Sequence, residues 1–122
     1  TTAAELGKLA DAARLAKDRR RAEVAYLAAR RRFGDTLTAA RAAFYLGRLQ
    51  NDSVSGHRAA IGWFRKYLDE PPRGAFVREA RGRLMLSLDS VGETSAAASA
   101  ARDYLKSYPG GPHAKLAKSL IE

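Results

Sequence analysis

The sequence predicts an all-α fold, a stack of three helix pairs closed by a short capping helix. Three observations predict it. The hydrophobic share is 46% but only 8% of residues are aromatic, and much of the remainder is alanine, which favours helix and lets helix axes approach closely. A set of spacings recurs three times. Helix-breaking segments then fall where that recurrence needs them.

The recurrence is clearest in the middle of the chain. Leu46-Gly47 is followed twelve residues after the glycine by Ala59, then by Trp63 four later and Pro71 eight later. Counted from Leu84-Met85, the same intervals land on Ala97, Ala101 and Pro109. Counted from Leu9-Ala10, they land on Ala22, Tyr26 and Gly34. The closing residues Gly34, Pro71 and Pro109 are 37 and 38 positions apart. These intervals divide the chain into units at about 3–36, 37–74 and 75–111, with a capping helix at 112–122.

Each unit holds two amphipathic stretches with small or apolar residues at three- and four-residue steps. In the first, Leu6, Leu9, Ala10 and Ala13 share one face, and Ala22, Tyr26 and Ala29 answer them after a break at Lys17-Asp18. Gly34-Asp35-Thr36 ends the unit. In the second, Ala43, Leu46, Gly47 and Gln50 precede the turn from Asn51 to Gly56, and Ala59, Trp63 and the stem of Lys66 follow it. Pro71-Pro72-Arg73-Gly74 cannot continue a helix. The third unit has Met85 where the others carry Ala or Gly, and Ala101 where they carry an aromatic, an exchange of large and small that conserves volume. Its turn is Val91-Gly92-Glu93-Thr94. Ser55 and Thr94 are the expected N-caps of the second helices in their units. After Pro109-Gly110-Gly111-Pro112, a last helix from Pro112 to Glu122 sets Leu116, Ala117 and Leu120 on one side.

A Leu-Gly or Leu-Ala pair followed by Ala, an aromatic and Pro at these intervals resembles the tetratricopeptide repeat, whose usual period is 34 residues. The lengthened units, with links reading Arg32-Phe33-Gly34-Asp35-Thr36 and Ser107-Tyr108-Pro109-Gly110-Gly111-Pro112, are similar to the repeats of bacterial envelope proteins such as the Tol-Pal system's periplasmic coordinator. The resemblance implies a right-handed α-solenoid and a non-catalytic scaffold for protein–protein interaction. It also implies a place in the bacterial periplasm or cell envelope, with the cytoplasm as the alternative.

In such a stack the first helix of each pair lines the inner face. The residues flanking its packed positions are then the expected peptide-binding groove: Asp11, Arg14, Arg41, Phe44, Arg48, Asn51, Glu79, Arg83 and Asp89. Arg41, Arg48 and Arg83 suit bidentate pairing with carboxylates. Phe44 offers an apolar contact and Asn51 a bond to a peptide backbone. The expected partner is an acidic peptide or protein.

Charge supports that choice and raises a second one. The net charge is +9, and residues 1–34 carry nine Lys/Arg against four Asp/Glu. Arg19-Arg20-Arg21 and Arg30-Arg31-Arg32 supply most of the excess. Three consecutive helical residues point about 100° apart, so each triplet reads first as solvated surface. Nucleic acid held through its phosphates is the alternative partner, and anionic lipid a lesser one. Self-association through an open end of the stack is a further possibility.

Catalysis has little to use. The chain has no cysteine, which excludes a disulfide framework and a zinc–thiolate site. No phosphate-binding loop, dinucleotide fingerprint or paired-histidine metal motif occurs, so neither cofactor nor metal is expected. His57 stands near Asp52, Ser53 and Ser55, in a turn that does not hold a nucleophile and base against one another. No apolar run approaches the ~20 residues that cross a bilayer. Beginning at Thr1 without methionine and stopping at Glu122 after an amphipathic run, the chain is expected to be a piece of a longer protein.

Overall fold

The computed structural model describes residues 1–72 and 74–122, so Arg73 of the second inter-unit link lies outside them. Among the described residues there are seven helices and no strand: α1 (Ala3–Leu15), α2 (Arg19–Arg32), α3 (Leu37–Asn51), α4 (His57–Asp69), α5 (Val77–Ser90), α6 (Thr94–Ser107) and α7 (Ala114–Leu120).

Local chemistry explains the first three helix starts. Thr2 and Glu5 form a reciprocal capping box: the Thr2 hydroxyl accepts from the Glu5 N–H at 3.1 Å and the Glu5 carboxylate accepts from the Thr2 N–H at 3.3 Å. Asp18 caps α2 by accepting from the Arg21 N–H, and Thr36 caps α3 by accepting from the Ala39 N–H, each at 3.2 Å. The two caps expected at Ser55 and Thr94 are not used. Gly56 stands at the start of α4 with no side-chain bond, because a Cβ there would collide with the carbonyl of Gln50. Thr94 is already the first residue of α6, behind Glu93. Among the described residues, the left-handed ones are Lys17 (φ 61°) and Gly92 (φ 78°), each in a break between helices.

Helices consecutive in the chain pack against one another throughout, and α3 also touches α1 and α5. The largest core cluster runs across α1 to α5 through Ala10, Ala22, Tyr26, Phe44, Phe64 and Tyr67. Met85 and Ala101 are fully buried in one cluster with Tyr104, so the exchange of large and small does pack. Within α7, Ala114 and Ala117 are buried while Leu116 and Leu120 are partly so; the helix is shorter than the run from Pro112 to Glu122.

Three core expectations are corrected. Leu9 is 62% exposed, turned away from Leu6 and Ala10. In α4, Ala59 is exposed and Trp63 only half-buried, while Ala60, Phe64 and Tyr67 are the buried set. The reason is the turn. Residues 52–56 separate α3 from α4, five positions, against three at 16–18 and three at 91–93. Ala10 to Ala22 and Met85 to Ala97 are both twelve residues, but Gly47 to the buried Ala60 is thirteen. One residue rotates a helix by about 100°, which moves Ala59 and Trp63 off the packed face.

Candidate functional site

The ordering of α1, α3 and α5 side by side brings their polar residues into one connected ribbon. Its centre is Tyr45, 7% exposed, a residue not among the expected groove set. The Arg14 guanidinium lies 4.0 Å from the centroid of the Tyr45 ring, and those of Arg41 and Arg48 lie 6.0 Å from it. Cations over an aromatic face are attracted by its quadrupole, most strongly at the shortest distance. Behind Tyr45 the Tyr26 ring stacks at 5.5 Å between centroids and 17° between planes.

Tyr26 ties this centre to α1. Its hydroxyl donates to Asp11 Oδ1 at 2.6 Å and accepts from Arg14 Nε at 3.0 Å. Burial, and then the hydrogen bond to the Asp11 carboxylate, push the Tyr26 hydroxyl well above the usual tyrosine range. It therefore acts as a fixed neutral donor at every physiological pH. Asp11 Oδ2 also stands 3.7 Å from Arg41 Nη2.

On the other side the ribbon continues to α5. Arg48 Nε is 3.9 Å from Glu79 Oε2, and Arg83 Nε donates to the same oxygen at 2.8 Å. Arg83 Nη1 donates to Asn51 Oδ1 at 2.9 Å and to Asp52 at 3.3 Å. Asn51 Nδ2 donates to Ser87 Oγ at 2.6 Å, and Ser87 Oγ lies 2.9 Å from His57 Nδ1. Ser87 is completely buried, so this serine–histidine contact is an internal joint between α4 and α5, out of reach of a substrate.

Six of the nine expected groove residues, Asp11, Arg14, Arg41, Arg48, Glu79 and Arg83, are thus gathered in the ribbon. Of the other three, Phe44 and Asn51 are corrected. Phe44 is fully buried, its ring stacked on Phe76 at 4.5 Å and 13°, and offers no apolar contact to a partner. Asn51 is buried and spends its amide on Ser87 and Arg83 rather than on a peptide backbone. Asp89 is exposed and joins none of these pairs among the described residues. Tyr45 was findable: it shares a helix face with Arg41 and Arg48 at i, i+4 and i+7, one position beyond Phe44.

Two recesses flank the Arg14–Tyr45 contact. One of about 170 Å³ is lined by Gly7, Lys8, Asp11, Thr38, Arg41 and Tyr45, among others. The second, about 370 Å³, is lined by Arg14, Lys17, Arg19, Arg48, Leu49 and Asp52. Four cations face a single carboxylate there. Among the described residues, no three His, Cys, Asp or Glu side chains gather in a way that could hold a metal ion. No helix among them is long and apolar enough to cross a membrane. No family model matches the sequence, and no curated protein matches it.

Proposed function

We propose that this chain is a non-catalytic protein-interaction scaffold of tetratricopeptide type, a right-handed α-solenoid working in the bacterial cell envelope. The α1–α3–α5 face takes a peptide or partner protein of acidic character. The observation that carries this reading is the recess lined by Arg14, Lys17, Arg19 and Arg48 beside the arginine-flanked Tyr45 ring. Its positive excess attracts carboxylates, and before any ligand arrives Arg14 is held by Tyr26 and Asp11 while Arg48 stands beside Glu79. A surface already ordered loses little conformational entropy on binding. The long pairs made by Arg41 and Arg48, Arg41–Asp11 at 3.7 Å and Arg48–Glu79 at 3.9 Å, are the ones a partner's carboxylates displace. The short Arg83–Glu79 pair at 2.8 Å stays.

The test is fluorescence anisotropy of a labelled acidic peptide pool and of labelled single-stranded DNA, each at low and physiological salt. The expected result is peptide binding at both salts, weakened at least tenfold by Arg41→Ala with Arg48→Ala, and a DNA signal that disappears at physiological salt. DNA binding tightly at both salts without peptide binding would replace this reading with a phosphate-contacting one. An unchanged peptide affinity in the double variant would move the site elsewhere.

A further inference from the structure

A second surface lies on the opposite side of α2. Arg20, Val24, Leu27 and Arg31 recur at i, i+4, i+7 and i+11, which at 100° per residue places them on one stripe about 60° wide. That stripe is opposed to Ala22, Tyr26 and Ala29, the residues α2 buries. All four are exposed, Val24 by 62%. Alongside, Leu6, Asp18, Arg20, Arg21, Val24, Ala25 and Ala28 line a recess of about 470 Å³ between α1 and α2. Single exposed apolar residues are ordinary; here two are aligned along a helix, continuous with an apolar recess, and bracketed by cations.

The charge around the stripe is mostly positive, and Asp18 in the recess is already paired with Arg21 at 3.4 Å. α2 contains six arginines and one carboxylate, Glu23, which is turned to Gln50 at 3.3 Å on another face. Among the described residues neither Arg20 nor Arg31 pairs with a carboxylate. Eleven residues of helix set them about 16 Å apart.

We propose that this outer face of α2 docks an acidic amphipathic helix of a partner protein. The partner's apolar residues lie on Val24 and Leu27, and a carboxylate near each end pairs with Arg20 and Arg31. A helix carrying carboxylates at i and i+11 reproduces their separation, and an apolar helical stripe laid in a shallow groove is a common recognition mode. A second copy of this chain would set arginine against arginine. A membrane surface fits less well: a helix lying in a bilayer interface keeps one face apolar along its length with cations on the polar side, whereas here arginines terminate the apolar stripe itself.

The experiment uses the full chain and a labelled helical peptide of about five turns, with leucines on one stripe and glutamates at positions i and i+11. A control peptide carries lysine at those two positions, and phosphatidylglycerol vesicles form a third arm. At physiological salt the glutamate peptide should bind, with the lysine peptide at least tenfold weaker. Val24→Asp, or Arg20→Glu with Arg31→Glu, should each raise Kd at least tenfold. These positions are exposed, and circular dichroism checks that the variants remain folded. Arg41→Ala with Arg48→Ala should leave this binding in place. Equal binding of the two peptides, indifference to the α2 variants, or binding to vesicles alone would overturn the proposal. So would a dimer in light scattering that Val24→Asp abolishes.

Discussion

Gly47 lies directly under the ring of Phe64, where an added Cβ would come within 2.6 Å of Cε1. Both residues are buried, and Phe44 sits 6.0 Å from Phe64 between centroids, so the ring has little room to retreat. Alanine in place of a mid-helix glycine gains about 1 kcal/mol of helix propensity, while overpacking a core costs about 1–3 kcal/mol. Gly47→Ala should therefore be net destabilising, by up to about 2 kcal/mol. Gly62, exposed in α4 with open space around its Cα, should respond oppositely. Gly62→Ala should stabilise by about 0.5–1 kcal/mol. Urea midpoints of the two variants check the difference in sign.

The buried joint of Asn51, Ser87 and His57 is expected to hold α3, α4 and α5 in register. Ser87→Ala leaves the Asn51 amide and the His57 ring without the hydroxyl that serves both. An unsatisfied buried polar group costs about 1–3 kcal/mol, and the variant's urea midpoint should fall accordingly. A double-mutant cycle with Asn51→Ala should show coupling above about 0.5 kcal/mol, since the two residues share one network.

Tyr26→Phe removes the donor to Asp11 and the acceptor for Arg14 Nε without altering the ring stack. The expected loss is about 1 kcal/mol. The alkaline limb has a definite sign. The Tyr26 hydroxyl titrates above its ordinary value in the folded chain, so its contribution is complete below about pH 10 and is lost as pH rises further. The wild type should lose stability there faster than Tyr26→Phe, measured by denaturant titration at successive pH values.

His113 supplies an acidic counterpart. Its ring covers Gly82 and meets the edge of Tyr104 at 5.8 Å between centroids, and its Nδ1 is buried without a partner. Burial first, and then Arg83, hold its pKa below the ordinary histidine value; Glu79 opposes them, and Arg78 adds a smaller lowering. The unfolded chain then binds the proton more readily, so stability is full above about pH 6.5 and declines as pH falls through the folded value. His113→Gln should flatten that decline between neutral and mildly acidic pH in urea titrations. An unchanged slope would assign the pH dependence to other groups.

Much of the molecule was legible in local chemistry. The all-α class followed from alanine content and helical spacing, the breaks at 17–18 and 91–93 from residues that leave the helical region, and the caps at Thr2, Asp18 and Thr36 are of the residue types that cap. Ala22, Tyr26 and Ala29 share one helix face by their spacing and are buried. Six of the nine groove residues fell together because flanking positions on parallel-facing helices share a side.

The remainder depended on distances that periodicity does not contain. Phe44 and Tyr45 are adjacent aromatics on α3, and tertiary packing decides that the first is sealed among Phe64, Tyr67 and Phe76 while the second receives three guanidinium groups. Ala59 and Trp63 obeyed the repeated interval, yet two extra turn residues and an earlier end to α3 rotated the packed face onto Ala60 and Phe64. By itself the sequence determined which segments are helical and roughly which side of each is apolar, because those follow from neighbours within a turn or two. Tertiary structure decided which neighbouring residue on that side is core and which is surface, because one residue turns a helix by about 100° and the loop that sets this rotation leaves no periodic trace.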